Sequence, residues 1–151
     1  MAANTTFTAG EVLTATAANA WPRGLMAAVV ESSTTDTFTT TEKIMLSFTF
    51  AAVANRKYVL TYIEPNLTGT AASVAITRFH ETNLAGSILQ TLRTTVSTTY
   101  NATTNATFMY TAGASGSLVI VASAQASTGT ITATRSGTQL AQLWVTDIGT
   151  A

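Results

Sequence analysis

Cysteine is absent from this chain of 151 residues, so disulfides and thiolate metal sites are excluded and the redox compartment is left open. Histidine occurs once, at His80, and a zinc site or a histidine-based catalytic dyad would need partners that the local sequence does not supply. Charge is scarce: seven basic and seven acidic side chains, 9% of the residues, cancel to zero and are spread along the chain. Such a distribution carries no electrostatic footprint for nucleic acid or for an anionic membrane surface. No apolar run approaches the roughly 20 residues of a membrane-spanning helix. The first residues lack the basic start and apolar core of a signal peptide, which gives the expectation of synthesis in a cytoplasm.

Catalytic and cofactor signatures are missing too. There is no G-x-S-x-G elbow, no G-x-x-x-x-G-K-[ST] phosphate loop and no G-x-G-x-x-G fingerprint, so no catalytic residue, metal site or cofactor is expected. The carboxylates Glu11, Glu31, Asp36, Glu42, Glu64, Glu81 and Asp147 fall in no shared local spacing. A glycosidase pair would have to meet through folding, about 5 to 10 Å apart across a cleft. His80, beside Glu81, is expected to be an ordinary surface or interface histidine. The glycine-rich stretch Gly113 to Ser117 has no helix behind it and reads as a hairpin loop.

What the chain has in quantity is threonine and alanine, 33 and 26 residues. Threonine is β-branched and suits a pleated surface with one face in water, so the composition favours strands. With so few charges, solubility rests on hydroxyls and amides, which suits a protein held in an assembly. Four Asn-x-Thr sequons begin at Asn4, Asn66, Asn101 and Asn105; in so threonine-rich a chain they read as loop chemistry rather than glycosylation sites.

Two regions follow from the pattern. Residues 1–24 form an N-terminal attachment arm, in which Phe7, Val12, Leu13 and Trp21 are isolated large apolar residues that the segment cannot bury by itself. These four are the candidate attachment or oligomer interface. Thr14 is placed to cap one short helical turn over residues 15–20, ended by Pro22 and Gly24.

Residues 25–151 form a single antiparallel β-sandwich, jelly-roll-like, of about eight or nine strands, because short β-branched and aromatic runs alternate with turn residues every eight to twelve positions. The expected strands are 25–32, 43–50, 57–64, 72–81, 88–98, 106–111, 117–124, 128–135 and 139–147, with Pro65 stopping the third. In the second, Ile44, Leu46, Phe48 and Phe50 share one face. In the third, Tyr58, Leu60 and Tyr62 share one face and Val59, Thr61 and Ile63 the other. Residues 83–87 read as a hairpin turn. Tyr100, Tyr110 and Trp144 are candidates for an aromatic sugar-binding platform, although strand aromatics are more often core.

Three stretches carry a resemblance. Phe7, Gly10, Leu13, Thr14, Ala15 and Asn19 make an F-x-x-G-x-x-L-T-A-x-x-x-N opening; Asn55-Arg56-Lys57-Tyr58 is similar to a G-R-x-Y turn into a strand; and Val145-Thr146-Asp147-Ile148-Gly149 is similar to a V-x-D-apolar-G ending. Together they resemble the small β-sandwich virion structural proteins of tailed bacteriophages, of the capsid decoration, head fibre or minor tail protein type. Asn55 departs from the family's glycine, but asparagine is the next most tolerant residue for a left-handed backbone.

The resemblance implies a non-enzymatic structural protein on the outer surface of a virion, made in the host cytoplasm. A capsid decoration protein on the head is preferred, because a tail fibre usually carries a shaft of repeats and none is present. A minor tail or receptor-binding protein is the alternative, and a carbohydrate-binding module is the alternative from another class. The implied partners are the major capsid protein or other virion proteins and further copies of itself, a homotrimer before a dimer. A host-surface glycan is a further possible partner, with no nucleic acid and no membrane.

Overall fold

A computed structural model describes residues 15–32 and 35–150. The short helix α1 (Ala15–Ala20) precedes ten strands: β1 (Gly24–Glu31), β2 (Asp36–Phe38), β3 (Lys43–Ala52), β4 (Arg56–Gly69), β5 (Ser73–Glu81), β6 (Ile88–Val96), β7 (Ala102–Thr111), β8 (Gly116–Ala126), β9 (Ile131–Ala133) and β10 (Ala141–Thr150). Every pairing is antiparallel. One sheet runs β1-β10-β4-β9-β2 with β7 on the other flank of β4, and the second runs β3-β8-β5-β6. The two sheets form a sandwich, as the alternating runs predict; the additional strand is the three-residue β2. The expected helical turn is present as α1, while its proposed cap Thr14 lies outside the described residues.

The core lies between the sheets. Tyr58, Leu60 and Tyr62 of β4 are fully buried, together with Leu143 and Val145 of β10, Phe79 of β5 and Ile120 of β8. Alanines at 75, 106, 122, 124, 133 and 141 fill the remaining inward positions, and small side chains there let the sheets approach around the rings. Phe50 packs edge-on to Tyr58 at 5.0 Å between centroids, and Phe79 to Phe108 at 4.9 Å. Threonines at 49, 91, 95, 103 and 107 face outward and are exposed.

Strict alternation fails at bulges, each of which inserts one residue and reverses the faces beyond it. Ile44 was expected to share a face with Leu46, Phe48 and Phe50. A bulge between Ile44 and Leu46 turns Met45 and Leu46 inward and leaves Ile44 43% exposed. Pro65 was expected to stop its strand. Instead β4 continues to Gly69, because Pro65 and Asn66 occupy a bulge between Glu64 and Leu67 where no ladder N–H is required of the proline. Beyond that bulge β4 changes neighbour from β10 to β9.

The Gly113 to Ser117 stretch is not a hairpin loop. It carries the chain from β7 in one sheet to β8 in the other. It runs beside the turn from β3 to β4, to which it is tied by Asn55 N–H donating to Ala112 O (2.8 Å) and Ala54 N–H donating to Ser115 Oγ (2.9 Å). The 83–87 segment is the hairpin turn between paired strands β5 and β6, as expected.

The bulge in β3 makes a direct prediction. Leu46→Ala should destabilise the protein by about 2 to 5 kcal/mol, and Ile44→Ala, at an exposed position, by no more than about 0.5 kcal/mol. Equal losses in denaturant titrations of the two variants would show that Ile44 faces the core after all.

Candidate functional site

Two of the motif-bearing stretches, distant in sequence, meet at one end of the sandwich, and Asn19, from the described end of the third, meets them there. Asn55 takes the left-handed conformation, φ 63°, that glycine adopts most readily, and so delivers Arg56 inward at the start of β4. The Arg56 side chain is buried and forms a two-pronged ion pair with buried Asp147 of β10, Nε to Oδ2 at 2.6 Å and Nη2 to Oδ1 at 2.7 Å. Its remaining donors turn to the arm: Nη2 donates to Trp21 O at 2.5 Å and Nη1 to Asn19 O.

The flanking residues hold this clasp in place. Gly149 N–H donates to Asp147 Oδ1 at 2.8 Å across a bulge in β10. Gly149 has φ 109°, and a Cβ there would fall 2.9 Å from Ala20 O, so glycine is required both by backbone and by the arm's close approach. Tyr58 Oη accepts from Val53 N–H at 2.9 Å, closing the turn that presents Arg56. Burial alone would raise the Asp147 carboxyl, but the Arg56 hydrogen bonds, the Gly149 N–H and the Arg56 charge hold it below its ordinary value of 3.8. The Asp147 hydrogen bond raises the Arg56 guanidinium against the opposing effect of burial.

Two further polar networks lie elsewhere in the fold. Arg135 forms a second two-pronged pair with buried Glu64, which also accepts from Tyr62 Oη at 2.9 Å. Burial and the neighbouring Glu64 charge push the Tyr62 hydroxyl far up. In the third, Glu42 Oε1 meets both His80 Nε2 (2.9 Å) and Ser123 Oγ (2.6 Å), and Glu42 Oε2 meets Arg78 Nη1 at 3.2 Å. His80 is therefore 1% exposed inside a network, not the surface or interface histidine expected. Serine, histidine and a carboxylate are together here, yet the serine donates to the carboxylate rather than to the imidazole, which is not the order that activates a nucleophile. Among the described residues, no group of three or more metal-ligating side chains forms, and no helix is long and apolar enough to cross a membrane.

Of the four expected attachment residues, Phe7, Val12 and Leu13 lie outside the described residues. Trp21 sits between α1 and β1, 37% exposed, with its carbonyl held by Arg56. The three aromatics do not assemble into a platform: Tyr110 faces inward opposite Tyr58, Trp144 faces outward opposite Thr61, and Tyr100 stands at the far end of the sandwich, 76% exposed. The clasp itself was not foreseen. Its signal was available: Arg56 and Asp147 are the charged members of two of the three resembling motifs, in a chain with few charges to place.

No family model matches the chain, and no curated protein matches it. Among solved structures, a chain in the structure of infectious bursal disease virus Gx strain is similar, with a TM-score of 0.43 and 8% identity over 83% of this chain. The match covers 30% of that viral chain, so this protein spans under a third of its length.

The clasp makes a prediction with a sign in pH. Asp147→Asn leaves the buried Arg56 without a counter-charge and should cost about 3 to 5 kcal/mol at neutral pH. The Asp147 value is lower folded than unfolded, so its contribution is fully present above the unfolded value of 3.8 and is lost as pH falls through the folded one. Urea titrations should therefore show the gap between wild type and Asp147→Asn closing on acidification; a gap independent of pH would refute the ionic character of the clasp.

Proposed function

We propose that this chain is a non-enzymatic structural protein of a tailed-phage virion, a capsid decoration protein on the outer head surface, attached by its N-terminal arm and assembling with further copies of itself, a homotrimer before a dimer. The observation that carries the reading is the clasp. The arm opening, the Arg56 turn and the Asp147 ending are the three stretches that resemble phage virion proteins, and the fold brings Asn19, Arg56 and Asp147 into one contact. A chance scatter of short motifs has no reason to converge on a single buried ion pair.

The absence of catalysis is part of the proposal. Three carboxylates, Glu42, Glu64 and Asp147, are each committed to a basic partner, which supports a structural role for them. The fold also separates two ends. The arm, the clasp and the β3 to β4 and β7 to β8 crossings lie at one; the 70–72, 97–101 and 127–130 segments, with exposed Tyr100, lie at the other. In this reading the arm end faces the shell, through the major capsid protein or another virion protein, and the Tyr100 end faces outward, where a host glycan would be met. A minor tail or receptor-binding role keeps the same geometry on a different support.

The clasp also sets where the arm can be cut for a test. Removal of residues 2–14 leaves Asn19 and Trp21 in place, whereas removal of 2–20 takes away the Asn19 carbonyl that Arg56 uses. The shorter truncation should fold with unchanged thermal stability and fail to bind particles lacking the protein. The longer one should in addition lose about 1 to 3 kcal/mol of stability. If the 2–14 truncation decorates particles as well as the full chain, the arm is not the attachment device; imaging that places the label on the tail would favour the alternative support.

A further inference from the structure

At the arm end a recess of about 260 Å³ opens between Glu81, Tyr110 and the segment from Gly113 to Leu118. Its wall carries one charge. Asp36, Glu42, Glu64 and Asp147 each hold a basic side chain, but Glu81 holds only Tyr110, whose hydroxyl donates to Glu81 Oε1 at 2.5 Å. No basic side chain among the described residues reaches it.

The backbone around Glu81 is over-determined. Thr82 is held at φ 73°, a conformation a β-branched residue rarely adopts, while its N–H donates to Val119 O at 2.9 Å. Gly86 packs so closely that a Cβ would fall 1.7 Å from Glu81 O. Backbone strain maintained beside a recess with a lone charge is the kind of feature that a binding site retains. Burial and the Glu81 bond raise the Tyr110 hydroxyl, so it stays a neutral donor to the carboxylate at any physiological pH.

The same end of the chain carries basic side chains with no ion pair among the described residues, Arg23 and Lys57. Lys57 is the better placed. It precedes Tyr58, whose cross-strand neighbour is the Tyr110 that bonds Glu81, so Lys57 and Glu81 stand at nearly the same height along the strands. By alternation Lys57 points out of the outer face of its sheet while Glu81 opens into the recess. Two complementary groups at one height on different sides of a molecule suit a head-to-tail contact that closes into a ring about an axis along the strands.

We infer that the Glu81–Tyr110 recess receives a basic side chain of a second copy of this chain, with Lys57 as the donor. The inference rests on the self-assembly in the proposed function and not on the virion assignment. Tyr110 would add the face of its ring to the carboxylate, as cation binding favours.

Sedimentation velocity on the full chain tests it, with thermal melts as the control for folding. Glu81→Gln keeps the shape of the side chain and should weaken association about tenfold or more, as should Lys57→Glu, with melting points near that of wild type. Glu81→Lys combined with Lys57→Glu should restore association. A wild-type chain that stays monomeric, single variants that associate as wild type does, or a folded double exchange that fails to recover would each overturn the inference. Dependence on Arg23 or on added Ca2+ in place of Lys57 would overturn it as well. Particle binding by the same variants is scored separately, so that failure of the virion reading leaves the association result interpretable.

Discussion

A guanidinium closed off from water must have its charge matched and its donors filled, and in this protein Arg56 meets both requirements by gathering three distant parts of the chain. Asp147 supplies the charge from the last strand, while Asn19 and Trp21 supply carbonyls from the arm. Removing either source leaves a buried donor unsatisfied, which costs far more than the net gain of the bonds themselves. The placement of the arm, the bulge at Ile148, the glycine at 149 and the left-handed turn at Asn55 all serve this one contact. Arg135 with Glu64 and Arg78 with Glu42 repeat the same pairing of a guanidinium with a carboxylate.

Much of the architecture was legible in the chain. Tyr58, Leu60 and Tyr62 show the period of two that a half-buried strand demands, and the fold places all three in the core. The six-residue helix ends before Pro22 as its composition requires. What periodicity does not reveal is where a ladder slips. The extra residue at Met45 has no special chemistry, so nothing in the run Ile44 to Phe50 announces the change of face. Pro65 is a different case. Proline reads as a terminator because it lacks an N–H, and the bulge removes the need for one.

The candidate site was legible in its parts and not in their assembly. The three motifs could be picked out, and asparagine at 55 could be expected to tolerate a left-handed backbone. That Arg56 and Asp147 touch is a property of β4 and β10 being neighbours, and strand order is not written in local pattern. The same limit explains His80. Its burial depends on Glu42, Ser123 and Gly86, drawn together by β5 and β8 and by the hairpin that follows β5.

The position of the clasp also fixes how the molecule would bear a load. β1 lies at the edge of its sheet with β10 as its one paired strand, so tension entering at Gly24 would open that ladder one hydrogen bond at a time, as a zip opens. Arg56 intercepts the arm before it reaches β1. A pull on the arm is carried through the guanidinium into β4 and β10, which are paired along their length and resist together in shear. Under the proposed attachment, the tether would be joined to the centre of the sheet rather than to its weakest seam.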